Sequence, residues 1–188
     1  KININDKEIT IKLWERNPQE DLFLGNKTTC CTAIAGANGA ATSIYLLSHC
    51  WQVVEIYDDK GNVIGMSRIY MGEIDGEPAL MMDNIELNKT FVKGASISER
   101  TKLRDTIFKY MHDYAEAVTG KKDTKVYFYT QDNTVVPKSG LKEILANVNF
   151  IGENPTEEIY VNSAKCSWIN TKKLANLKSS WFVVPKEN

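Results

Sequence analysis

The spacing of apolar residues changes several times along this chain, and each change marks an element. Ile9, Ile11 and Leu13 alternate with Thr10 and Lys12, the period of a strand. The stretch from Trp14 to Pro18 ends it, and Pro18 opens a short helix through Leu24 that the Gly25-Asn26 turn closes. Residues 28–47 are rich in Ala, Thr and Gly. Ile34, Ala37, Ala41, Ile44 and Tyr45 follow helical spacing there, but Gly36 and Gly39 interrupt it, so one broken helix or two short ones are expected. Three strands come next, over 51–57, 63–71 and 79–87. The loop Asp58-Asp59-Lys60-Gly61-Asn62 and a turn over 72–78 join them into an antiparallel meander.

The clearest helix follows. Ser96 and Glu99 have the spacing of a capping box. Leu103, Ile107, Met111, Tyr114 and Val118 make a stripe along one face, and Gly120 supplies the C-cap. A strand is expected over 125–130, where Tyr127 and Tyr129 alternate with Val126 and Phe128. A short helix is expected over 141–148, and a last strand over 159–169. Trp181, Phe182, Val183 and Val184 are too apolar for a free tail, so residues 172–188 should pack back on the domain. A helix between strands in the second half predicts one parallel pair in an otherwise antiparallel sheet. The fold class is therefore α/β (α+β). The chain divides into an N-terminal strand and helical region (1–50), a central sheet with its helix (51–171) and the packed tail.

At 188 residues the chain suits a single domain. It opens Lys1-Ile2-Asn3, without Met or a signal-peptide pattern, which reads as a piece of a longer polypeptide. Its 23 Lys+Arg nearly cancel its 24 Asp+Glu, so neither nucleic acid nor an anionic membrane is an expected partner. No apolar run is long enough to span a bilayer. The four cysteines do not form a disulfide framework, and reduced thiols in a cytoplasmic setting are expected.

Thr29-Cys30-Cys31-Thr32 is the most unusual local sequence. A thiol near a helix N-terminus would be acidified and nucleophilic, and a cysteine-dependent enzyme using Cys30 or Cys31 would take His49 or His112 as its base. Buried small side chains are the alternative. No metal site is expected, because the pairs Cys30-Cys31 and His49-Cys50 each put two ligands next to one another. The aromatics Tyr127, Phe128 and Tyr129 lack a basic surround and belong to packing rather than to base stacking.

The element order from 51 to 171 resembles the GNAT superfamily of acyl-CoA-dependent N-acyltransferases. Gly61-Asn62-Val63-Ile64-Gly65-Met66-Ser67-Arg68 is similar to the family's central hairpin. Leu80-Met81-Met82-Asp83-Asn84-Ile85-Glu86-Leu87 is similar to the strand whose backbone pairs with the pantetheine arm. Phe91-Val92-Lys93-Gly94-Ala95-Ser96-Ile97-Ser98 stands where the pyrophosphate loop belongs, and Asn147-Val148-Asn149-Phe150 where the family's last helix ends.

The resemblance implies a GNAT-like sheet flanked by helices and an acetyl-CoA cofactor. Ile85, Leu87, Lys93, Gly94, Ser96 and Ser98 would contact it, with the diphosphate on the helix start. It also implies acetyl transfer to an unidentified small-molecule or protein amine, with Glu86 as general base and Asp83 as a weaker alternative. Ser96 and Ser98 occupy the loop's two small-residue positions, and Leu145 stands where the family carries a tyrosine acid. A catalytically inactive GNAT-fold binding module is the alternative these departures imply.

Overall fold

The computed structural model describes residues 2–4, 6–30, 32–36, 39, 42, 51–130, 135–150 and 178–186. The strand expected over 159–169, and Cys31, His49, Cys50 and Cys166, lie outside those residues. The strands are β1 (Ile2–Ile4), β2 (Lys7–Leu13), β3 (Trp51–Tyr57), β4 (Val63–Ile74), β5 (Glu77–Met82), β6 (Glu86–Leu87), β7 (Lys125–Phe128), β8 (Lys142–Asn147), β9 (Asn149–Phe150) and β10 (Lys178–Val183). The helices are α1 (Pro18–Asp21), α2 (Leu24–Lys27), α3 (Lys89–Gly94) and α4 (Ile97–Thr119).

The sheet runs β1-β2-β3-β4-β5-β7-β10-β8. All its pairs are antiparallel except β5–β7, which is parallel and is connected through α3 and α4. The mixed, mostly antiparallel sheet with flanking helices expected from the sequence is thus the observed fold. The hairpin β3–β4 turns where Asp58 Oδ1 accepts from the N–H groups of Lys60 and Asn62, with Gly61 at φ +78°.

One end of the sheet closes on itself. Val148 alone separates β8 from β9, and β9 pairs with the far end of β4 through Gly72↔Phe150. Strands β4, β5, β7, β10 and β8–β9 therefore make a ring. Its interior holds Trp51, Tyr70, Ile74, Met81, Tyr127 and Trp181. The opposite face of the sheet presents Val54, Ile56, Ile69, Leu80, Met82, Val126 and Phe128 to α4. Phe128 meets Phe108 edge-on, with ring centroids 5.3 Å apart.

Helix α4 forms as its sequence predicts. The Ser96 hydroxyl accepts from the Glu99 N–H, the Glu99 carboxylate accepts from the Ser96 N–H, and Gly120 ends the helix at φ +66°. Leu103, Ile107, Met111 and Ala115 take the sheet-facing stripe, while Val118 is half-exposed in the last turn. Each large apolar side chain so buried contributes about 1.5–3 kcal/mol. Arg104 is buried but satisfied: it donates to Asp105 Oδ1 and to the carbonyls of Pro137 and Ser139, which pins the segment entering β8.

One expectation is corrected. Residues 142–147 form strand β8 rather than a helix. Ile144 and Ala146 turn toward the ring interior, and β10 supplies the ladder from Lys178↔Asn147 to Val183↔Lys142. Leu145 consequently points away from the ring interior and is 59% exposed. Within the tail, β10 lies between β7 and β8 as an interior strand.

Candidate functional site

The third strand of the meander is interrupted, and the interruption builds the site. Met82 pairs with Ile69, and the Asp83 N–H donates to the Arg68 carbonyl at 2.8 Å. Pairing resumes with Glu86 opposite Met66 and Leu87 opposite Gly65. Three steps along β4 are thus matched by four steps from Met82 to Glu86, which is a β-bulge with one extra residue.

A bulge of this kind inverts the alternation of side chains. Leu80 and Met82 pack on the α4 side before it, whereas Ile85 and Leu87 do so after it. Glu86 is thereby turned to the opposite face, where its cross-strand neighbour Met66 belongs to the apolar group with Trp14, Leu24, Cys30, Val53 and Val63. Without the extra residue Glu86 would share the parity of Met82 and be aimed into the core.

Residues 28–30 and Thr32 approach this face from the end of α2. The Arg68 guanidinium, buried on β4, donates to Thr32 Oγ1 at 2.8 Å, and Thr32 Oγ1 donates to Cys30 Sγ at 3.3 Å. The Cys30 thiol in turn is hydrogen-bonded to Glu86. From the other side the Asn84 amide donates to Glu86 Oε1 at 3.1 Å, and Thr130 Oγ1 donates to Asn84 Oδ1 at 2.6 Å. Thr130 follows β7, so this contact bridges the place where β5 and β7 part beyond Met82↔Phe128.

The charges are unbalanced. Burial raises the proton affinity of the Glu86 carboxyl; the neighbouring Asp83 charge adds to this, while the Asn84 and Cys30 hydrogen bonds and Arg68 oppose it. Burial also pushes Asp83 upward, against the Asn84 N–H bond and the Arg68 charge. The Cys30 thiol is raised by burial and then by the Glu86 carboxylate. Glu55, opposite Met66 from the β3 side, is buried, raised by that burial, and accepts from the Tyr57 hydroxyl. One face thus carries Glu55, Glu86 and Asp83, with the buried Arg68 guanidinium beside Glu86 and Asp83 and the more exposed Lys12 and Lys27 charges acting on Glu55. Such a setting favours protons and cations.

The raised thiol speaks against Cys30 as a nucleophile. Cys30 follows the C-terminal end of α2, and burial together with the adjoining Glu86 carboxylate outweighs the lowering by the Arg68 charge and the Thr32 hydrogen bonds. His112 is distant from this chemistry: its Nε2 lies 3.2 Å from the Val184 carbonyl oxygen, where it holds the tail against α4. No group of three or more His, Cys, Asp and Glu side chains among the described residues is placed to hold a metal. No described helix is long and apolar enough to cross a membrane.

The residues assigned to acyl-CoA fall into two groups. Ile85 and Leu87 bury their side chains in the core and offer only backbone. Among the described residues no strand pairs with the edge of 83–87 that faces away from β4, so this edge suits an extended amide-bearing chain. The other end fits less well. Lys93 and Gly94 complete helix α3, which Asn88 caps by accepting from the Thr90 N–H, so the expected open loop is largely helical. Ser96 and Ser98 are exposed, but the Ser96 N–H and hydroxyl are both committed to Glu99 Oε2, at 2.8 and 2.7 Å. The carboxylate of Glu99 already occupies the position a diphosphate would take, so this end does not suit a diphosphate as it stands.

No family model matches the chain, and no curated protein matches it. Among the solved structures that are similar at a low level are two acetyltransferase structures. One is a GCN5-related glucosamine N-acetyltransferase region of a fungal multi-domain GH3 β-N-acetylglucosaminidase, with 11% identity and a TM-score of 0.40; the match covers 66% of this chain and 14% of that one. The other is an aminoglycoside acetyltransferase from an uncultured soil metagenomic sample, solved with trehalose. It has 10% identity and a TM-score of 0.35, over 66% of this chain and 78% of that one.

The sequence reading singled out Glu86 and Asp83, and the structure brings the two together. It gave no role to Arg68, Thr32, Asn84 or Thr130. The signal for Arg68 was present, as a charge between Met66 and Tyr70 on the same face of β4.

Proposed function

We propose that this domain transfers an acyl group from an acyl-CoA to an amine, with Glu86 as the general base. The observation that carries the reading is the bulge-presented carboxylate. It is half-buried, raised in proton affinity by burial, and placed where β5 and β7 separate. An amine is an ammonium ion at neutral pH and must lose a proton before it attacks, and a carboxylate with raised affinity matches that task better than a solvated one. The acyl-CoA would supply the activated acyl group.

This chain's residues account for the rest. Glu86 accepts the ammonium proton, and Asn84 and Cys30 fix its orientation. Glu55 and Asp83 make the face attractive to a cationic acceptor. Acetyl-CoA is the first donor to try.

A second reading has its own support. Glu99 at the helix start and the outward-facing Leu145 fit a GNAT-fold module that binds without transferring. Acetyl-CoA and free CoA titrated calorimetrically, followed by thiol release with a panel of amines, separate the two. Saturable binding with amine-dependent thiol release that Glu86→Gln lowers by about 100-fold or more supports transfer. Absence of binding at millimolar donor favours the module.

A further inference from the structure

We propose that Arg68, Thr32 and Cys30 form a hydrogen-bond relay that positions Glu86, with Cys30 and Glu86 acting as one proton-holding pair. The proposal rests on the reading of Glu86 as the base. Its geometry is a continuous chain. The guanidinium donates to Thr32 Oγ1 at 2.8 Å, the same hydroxyl donates to Cys30 Sγ at 3.3 Å, and the thiol meets the Glu86 carboxyl. Arg68, Thr32 and Cys30 are all buried, and each belongs to a different part of the scaffold from Glu86. Arg68 is on β4, Thr32 and Cys30 are in the segment after α2, and Glu86 is on β6 beyond the bulge.

The direction of the chain is chemically fixed. A guanidinium only donates, so Thr32 must accept from it and spend its own hydrogen on sulfur. Sulfur that accepts a hydrogen bond gives up its own proton more readily to a partner, so the Thr32 contact strengthens donation from Cys30 to the carboxylate. The charged and titratable groups facing the pair are Arg68 and Asp83, with Asn84 the neutral donor on the other carboxylate arm. Cys30 is therefore a positioning residue, working through Glu86 without touching the reacting atoms.

Two groups that share a proton must each feel the loss of the other. The test follows the Glu86 carboxyl carbon and the Cys30 β-carbon by 13C NMR through a pH titration, on protein labelled at Glu and Cys. Glu86→Gln and Cys30→Ser identify the two signals. Cys30→Ala is expected to raise the Glu86 midpoint by about half a pH unit or more, because the carboxylate loses a donor. Thr32→Val should move it the same way by less. Cys30→Ser restores a donor and should return it toward the parent value. In the reverse direction, Glu86→Gln should lower the Cys30 midpoint by removing the adjacent negative charge.

A Glu86 midpoint unmoved in a Cys30→Ala protein whose amide spectrum is otherwise native overturns the relay, as does a Cys30 midpoint unmoved by Glu86→Gln. These midpoints are read on the protein alone. Failure to find acyl transfer leaves coupled midpoints standing, and uncoupled midpoints overturn the relay whether or not transfer is found.

Discussion

Replacing Gly65 by alanine tests the geometry that presents Glu86, and the sign of the result is decisive. Gly65 lies in β4 opposite Ile56 on one side and Leu87 on the other, and it is not among the glycines with positive φ. At such a position alanine ordinarily stabilises a protein by about 0.4–1 kcal/mol, because the unfolded chain loses freedom. Here a Cβ would fall 2.5 Å from Leu87 Cδ2, 2.8 Å from Ile56 Cδ1 and 3.1 Å from the Glu86 carbonyl oxygen. Overpacking of that kind costs about 1–3 kcal/mol. The two nearest atoms are ends of side chains that can yield, so the net expectation is a loss of about 1–2 kcal/mol. Urea unfolding with an unchanged m-value measures it. Leu87→Ala removes the nearest clash, so the double variant should lose less than the sum of the single variants by about 0.5 kcal/mol or more. A Gly65→Ala protein more stable than its parent, or strict additivity with Leu87→Ala, would refute the close approach of β6 to β4 and the placement of Glu86 that depends on it.

Glu99→Gln keeps the capping-box hydrogen bond, because glutamine also serves at that position, but removes the charge. It should cost about 0.3–1 kcal/mol of stability while tightening CoA binding several-fold; weaker binding in calorimetry would place the diphosphate elsewhere. Stability should also fall as pH rises from mildly acidic to neutral. Asp21, Glu55, Asp83 and Glu86 all have carboxyls raised by burial, so between the ordinary carboxylate range and their native values the folded state holds more protons than the unfolded state. Glu116 and Asp123 act oppositely. Hydrogen bonds from Lys186 lower both, and their contribution is lost as pH falls through their depressed native values. Thermal melting should therefore be highest at mildly acidic pH, close to the ordinary carboxylate range. A melting temperature that climbs steadily from there to pH 8 would contradict the assignment of buried, proton-holding carboxylates.

Local chemistry made much of the fold readable. The Ser96–Glu99 box and Gly120 bound α4 because each satisfies backbone groups within one turn, with no help from distant residues. The hairpin at Asp58–Asn62 is legible for the same reason. Strand β8 was not. Leu141, Ile144, Leu145 and Val148 fit helical spacing as well as any short apolar run, and the outcome depends on a ladder from residues far later in the chain, Lys178 to Val183. The bulge was half-legible. The shift from Leu80 and Met82 to Ile85 and Leu87 is a change of parity in plain sequence, and it places Glu86 on the other face. What no local pattern could give was the meeting of Cys30 and Thr32 with Arg68 across thirty-six positions, which requires the whole meander to be folded first.

The place of β10 bears on how this protein is made. A ribosome delivers β7 and β8 well before residues 178–183, yet in the finished sheet β10 stands between them. Until it arrives, β7 and β8 each have an open hydrogen-bonding edge, and Tyr127 and Ile144 lack the cover that Trp181 provides. Late-filled gaps of this kind recruit foreign strands. The interval before β10 pairs is therefore one in which these edges are open to other strands, and slowing elongation between β8 and β10 should lower the yield of native protein.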